Sequence, residues 1–228
     1  MARDAAPLDA LDAIALQEVR IGDDLRHLEL YTMRGLLTVL WHGDEDAEDV
    51  VLAFGGAMGG VLGPANGIYH DLGERLWAEH GIATMRIGYR RPNDLDRCTH
   101  DVLAAADLAG RKGAQRFVTM GHSFGGAVAV RAGIALHRHV AGVVTLSTQS
   151  AGCEQAELLG KTPLLLVHGE RDELLPPFVS ETVRMIAGHG ELVLLPDDGH
   201  LLDRSPGQLR QLLAQWIPEQ FAACASSS

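Results

Sequence analysis

Cysteine is sparse in this sequence. Cys98, Cys153 and Cys224 are three among 228 residues, an odd number with no Cys-x-x-Cys spacing. That speaks against a disulfide framework and fits a reducing compartment. Positive charge is also short, with 19 Lys and Arg against 30 Asp and Glu, a formal net charge of −11. An acidic surface argues against nucleic acid and anionic membrane as default partners. No apolar run reaches 18 residues, so no transmembrane helix is expected. The N-terminus, Met1-Ala2-Arg3-Asp4-Ala5-Ala6-Pro7, has no basic region followed by an apolar stretch, and so no signal peptide is read. Internal repeats are missing too. These absences lead to a cytoplasmic, globular protein as the expectation.

The composition that remains is ordinary for a globular chain, 46% hydrophobic and 21% charged. A length of 228 residues suits one domain spanning 1–228 with a full core. Residues 1–13 and 224–228 are expected to be flexible.

Apolar runs and helical spacings alternate along the chain. Val19–Ile21, Leu28–Met33 and Leu36–Trp41 read as short strands, with Arg34-Gly35 as a turn. Val50–Phe54, Ala83–Ile87, Phe117–Met120, Val140–Leu146, Leu164–Val167 and Leu192–Leu195 read as strands, most of them continuous apolar runs suited to a buried parallel sheet. Helices are read over Tyr69–His80, Thr99–Lys112, Phe124–Leu136, Pro177–Ala187 and Pro206–Phe221. The alternation predicts an α/β fold, a mostly parallel central sheet with helices on both faces. Ligands in such sheets bind beyond the carboxyl ends of the strands.

Three polar segments fall at those ends. Gly121-His122-Ser123-Phe124-Gly125 lies between a strand and an alanine-rich helix. A serine hydroxyl is a weak nucleophile and needs an exposed position on a sharp turn with a base beside it. Small flanking residues permit that turn. His168-Gly169-Glu170-Arg171-Asp172 ends the strand at Leu164, and Asp197-Asp198-Gly199-His200 ends the strand at Leu192. The order Ser, Asp, His, each just past a strand, is the order of the α/β-hydrolases.

From about Val19 to Phe221 the chain resembles that superfamily, and in particular its small cap-less esterases and dienelactone-hydrolase-like members. The resemblance rests on Gly-His-Ser-Phe-Gly-Gly, His-Gly-Glu-Arg-Asp-Glu-Leu-Leu-Pro-Pro and Asp-Asp-Gly-His. It implies Ser123 as nucleophile, His200 as base and Asp172 as the acid that orients the base. Glu170 and Glu173 are nearby carboxylates that would need a different turn to reach the ring. Asp197 and Asp198 share the turn of His200 and read instead as loop-capping residues. The oxyanion hole is expected from the N–H of Phe124 and from the loop Gly55-Gly56-Ala57-Met58-Gly59-Gly60, with Gly56 as first choice and Ala57 as fallback. Many relatives carry His-Gly-X there; this chain has Phe54-Gly55-Gly56.

Other groups are weaker candidates. Arg90 is placed to grip a substrate carboxylate or to brace its loop against Asp94, Asp96 or Asp101. Met58 is a candidate substrate contact. His137 and His139 lack a third ligand, so no metal is expected, and Gly160-Lys161-Thr162 precedes a strand where a phosphate loop would open a helix. No cofactor is called for. Between the strands at Val140 and Leu164 only Ser147 to Thr162 is available, too short for a cap domain.

Two function classes follow. One is a hydrolase of small carboxylic esters, with thioesters, lactones and amides as neighbours that share the same tetrahedral intermediate. The other is a non-catalytic binding protein on the same scaffold. The intact trio favours the first, with a small acyl compound as partner. Nothing in the sequence specifies an oligomeric state.

Overall fold

The structure, a computed structural model, describes residues 5–226. Among these residues nine strands form one sheet in the order β1-β2-β3-β5-β4-β6-β7-β8-β9. They are β1 (Ala13–Arg20), β2 (Leu25–Thr32), β3 (Gly35–His42), β4 (Asp49–Phe54), β5 (Ala83–Gly88), β6 (Arg116–His122), β7 (Val140–Leu146), β8 (Leu164–Gly169) and β9 (Glu191–Leu195). The first three pair antiparallel, as do β3 and β5, and the remaining pairs are parallel. Strands β4, β6, β7 and β8 are buried along almost their whole length. Their continuous apolar runs thus reflect helices on both faces.

The helices are α1 (Pro64–His80), α2 (Leu95–Gly110), α3 (Phe124–Leu136), α4 (Phe178–Ala187) and α5 (Pro206–Ala225). Two apolar layers result. One joins Leu52, Phe54 and Met85 to Val102 of α2 and Val128 of α3. The other joins Val51, Val118 and Val144 to Leu72 of α1 and Ile217 of α5. Alternate residues of a strand face opposite layers, so β4 supplies Leu52 to the first and Val51 to the second. Between β7 and β8 the chain forms only a short 3-10 turn, Ala156–Leu159, and no cap lies there.

Of the ends expected to be loose, residues 1–4 and 227–228 lie outside the described residues. Residues 8–11 are docked: Leu8 N–H donates to Asp107 of α2 at 3.0 Å, and Leu11 is buried. Strand β1 continues from Ala13, exposed along its full length, and α5 runs on to Ala225. An edge strand exposed on both faces shows little alternation, which is why the sequence reading began it only at Val19.

Candidate active site

Ser123 sits between the end of β6 and the start of α3 with φ 57° and ψ −120°. A positive φ is uncommon for a residue with a side chain and costs on the order of 1 kcal/mol or more. The neighbours make it possible. A Cβ on Gly121 would collide with the carbonyl oxygen of Gly125, and a Cβ on Gly125 would collide with that of Gly55. Only glycine allows the strand, the turn and the β4 loop to approach so closely. The Ser123 N–H donates to Leu146 O at 2.8 Å, which ties the turn to β7.

His200 follows β9. Its Nε2 lies 3.0 Å from Ser123 Oγ, and its Nδ1 lies 2.7 Å from Asp172 Oδ2. A carboxylate only accepts, so Nδ1 carries the proton and Nε2 is free to accept from the serine hydroxyl. Asp172 follows β8 and is held from both sides. Its Oδ1 accepts the N–H groups of Leu174 and Leu175, each at 2.9 Å. Burial alone would raise this carboxyl, but the Leu175 N–H, the His200 ring and the Leu174 N–H outweigh it and hold it below the usual carboxylate value. The carboxylate therefore stays charged.

The competing acids lie elsewhere. Asp197 pairs with Arg171 at 2.7 Å on the surface. Asp198 Oδ1 accepts the N–H groups of Arg204 and Ser205 at 2.7 and 3.3 Å, closing the loop that follows His200. Neither Glu170 nor Glu173 makes a side-chain contact with the ring among the described residues.

Two further histidines surround the trio, and the sequence reading gave them no role although both stand inside the quoted motifs. His122 Nε2 lies 2.9 Å from the His200 carbonyl oxygen, and the two rings sit 4.9 Å apart. Burial pushes His122 down to about 4, so the ring is neutral and its Nε2–H donates to that carbonyl. His168 is fully buried. Its Nε2 reaches Leu175 O at 2.7 Å and Asp172 Oδ2 at 3.2 Å, and its Nδ1 faces Ser180 Oγ at 2.6 Å. Two acceptors at Nε2 place the proton there, and Ser180 donates to Nδ1. Burial lowers the His168 pKa, which keeps this ring neutral as well.

The loop after β4 closes the other side. Gly56 and Gly59 pair across the turn Ala57-Met58, with Gly59 N–H donating to Gly56 O at 2.9 Å. A Cβ on Gly56 would stand 3.4 Å from Ser123 Cβ, so this loop borders Ser123. Two buried phenols fix its base: Tyr69 OH donates to Phe54 O at 3.0 Å and Tyr89 OH to Gly55 O at 3.2 Å. The N–H groups of Phe124 and Ala57 donate to no backbone acceptor among the described residues.

The start of α1 joins the two sides. Ala65, Asn66 and Gly67 all take left-handed φ values of 52°, 61° and 93°. Ala65 N–H donates to Leu201 O at 2.7 Å, beside His200. The sequence reading began this helix at Tyr69; the left-handed turn explains why no helical spacing marks its start.

Arg90 lines a cavity that Ser123 does not line. Its Nε lies 2.5 Å from Asp101 Oδ1, and its backbone N–H donates to Asp101 Oδ2 at 2.8 Å. The fully buried Asp101 carboxylate thus braces the guanidinium through Nε, the loop-bracing alternative that the sequence offered for Arg90. Met58, by contrast, is 95% exposed at the tip of the loop that borders Ser123.

A family model described as Phospholipase/Carboxylesterase matches residues 99–203, a stretch that contains Ser123, Asp172 and His200. No curated protein matches. Among solved structures, Est1E of Butyrivibrio proteoclasticus superposes with a TM-score of 0.72 over 86% of this chain and 99% of its own, at 18% identity. The dienelactone hydrolase of Anabaena variabilis gives 0.71 over 90% and 98%, at 19% identity. The chain has the α/β-hydrolase fold. A serine hydrolase of Xanthomonas campestris described as lacking a lid matches at 0.66 over 88% of this chain and 98% of its own, with 19% identity. This α/β-hydrolase fold likewise has no cap between β7 and β8.

Proposed function

We propose that this protein is a serine hydrolase of small carboxylic esters working through an acyl-enzyme. The observation that supports it best is the continuous chain of hydrogen bonds from Ser123 Oγ through His200 to Asp172. Ser123 Oγ attacks the carbonyl carbon while His200 Nε2 takes the hydroxyl proton. Asp172 stabilises the imidazolium that forms. Negative charge then develops on the carbonyl oxygen, where the N–H of Phe124 and that of Gly56 or Ala57 would receive it. Collapse of the tetrahedral intermediate expels the alcohol, which takes its proton from His200 Nε2. Water enters, His200 removes one of its protons, and the acid product leaves Ser123 free again.

The family match and the esterase and dienelactone hydrolase among the structural relatives support the same class. Thioesters, lactones and amides pass through the same intermediate and are weaker readings. Among the described residues no helix is long and apolar enough to cross a membrane. The test is release of p-nitrophenol from p-nitrophenyl acetate. A stoichiometric burst followed by turnover is expected. A rate no faster than buffer across acetate, butyrate and thioester substrates would favour a non-catalytic scaffold.

A further inference from the structure

A second polar site lies on the same rim of the sheet, away from the nucleophile. A cavity of about 220 Å³ is lined by Arg34, Arg90, Arg91, Arg97 and His100, with Asp96 and Ala10 completing the wall. Neither Ser123, Asp172 nor His200 lines it. Topology brings these cations together. Arg34 is in the β2–β3 turn, Arg90 and Arg91 follow β5, and β3 pairs with β5 so that Gly35 abuts the Arg90 backbone. The first turns of α2 bring Arg97 and His100.

Such a concentration of positive charge is unexpected in a chain of net charge −11. The ion pairs leave it uncompensated. Arg90 is held by Asp101, Arg97 by Asp94 at 3.2 Å, and Asp96 by Arg131 at 2.7 Å. Arg34 and Arg91 have no side-chain partner among the described residues. The Arg90 side chain is only 9% exposed, and Asp101, fully buried, engages it through Nε. That leaves its two terminal amino groups without an acceptor among the described residues, on a guanidinium whose orientation is already fixed. A pre-oriented guanidinium presents its fork to an oxyanion with little loss of side-chain freedom.

We infer that this cavity binds a small dianion, a phosphate group or a dicarboxylate, gripped by Arg90 and neutralised by Arg34 and Arg91. Two uncompensated cations match two negative charges. The volume falls below the roughly 300–1,000 Å³ of sites for drug-sized ligands, so a nucleotide does not fit. The site stands independently of the hydrolase reading.

The experiment is calorimetric titration of the whole chain with inorganic phosphate, and separately with succinate, at an ionic strength held constant with sodium chloride. Saturable one-to-one binding of at least one of the two is expected, and the tighter one identifies the ligand chemistry. Arg34→Ala/Arg91→Ala should weaken it at least tenfold. Both side chains are exposed, so the fold should survive, and circular dichroism checks that. Arg91→Lys keeps the charge without the fork and should fall between. Binding should persist in Ser123→Ala. No binding of either anion, equal binding by the double variant, or loss of binding in Ser123→Ala would each overturn the inference.

Discussion

His122 Nε2 donates to the backbone carbonyl of His200 across 2.9 Å, so the residue next to Ser123 holds the loop that carries His200. The two rings approach at 4.9 Å. His122→Ala removes this tether and leaves the His200 carbonyl without its donor. A base displaced by about 1 Å can cost on the order of a hundredfold in rate. A fall of about tenfold to a hundredfold in kcat is expected, with KM for a short ester little changed. His122→Gln, which can still donate, should recover part of it. Unchanged kcat in His122→Ala would show that the contact does not position the base.

Buried neutral imidazoles also set a pH dependence of stability. Burial, followed by the nearby Arg86 and His70, pushes His42 down to about 3, and burial pushes His122 down to about 4. Both lie below the ordinary value near 6.5, so between that value and the folded ones the unfolded chain binds more protons. Stability is therefore complete above about pH 6.5 and declines as pH falls toward 4. Each ring should cost on the order of 2 kcal/mol between pH 7 and pH 5. Urea unfolding at the two pH values measures this. His122→Gln should lose less between them by about that amount, and an equal loss would contradict the assignment.

His168 and Ser180 form the support under Asp172. His168 donates toward Asp172 Oδ2 and Leu175 O, and Ser180 donates to its other nitrogen. His168→Ala should cost about 2–3 kcal/mol, since buried acceptors lose their donor. It should also lower kcat more than it raises KM. Ser180→Ala removes only one neutral hydrogen bond and should cost about 1 kcal/mol. Thermal unfolding and steady-state kinetics on both variants check the order. A larger effect from Ser180→Ala would invert this picture.

The site is open, which bears on acyl length. Met58 is 95% exposed and Leu201, beside His200, is 57% exposed. Each buried methylene contributes only about 0.8 kcal/mol, and an open surface buries few of them. Water-soluble short-chain esters should be turned over at least as well as long-chain ones, with no activation at a lipid interface. A series of p-nitrophenyl esters tests this. A clear preference beyond about ten carbons would require roughly 8 kcal/mol of buried chain and a closed tunnel.

Much of this arrangement was legible in the sequence because buried parallel strands announce themselves. Val50–Phe54 and Val140–Leu146 are apolar throughout, and each motif residue follows such a run. Strand β1 was mostly missed because it is exposed on both faces. The start of α1 was missed because Ala65 and Asn66 are left-handed through tertiary contact with Leu201, which local sequence does not encode. Ser123, Asp172 and His200 were singled out by order and position, and their side chains are hydrogen-bonded in sequence. His122 and His168 were passed over, although each stands in a motif beside or near them, because their partners are backbone atoms and a serine far along the chain. The fate of Arg90 turned on which of three aspartates it meets, a matter of packing rather than pattern.

The central claim is that Ser123 is the nucleophile, and reaction with a fluorophosphonate probe tests it most directly. One adduct is expected, on Ser123 by peptide mass mapping, with none in a folded Ser123→Ala protein. Labelling of Ser123→Ala at the rate of the unaltered protein would contradict the account.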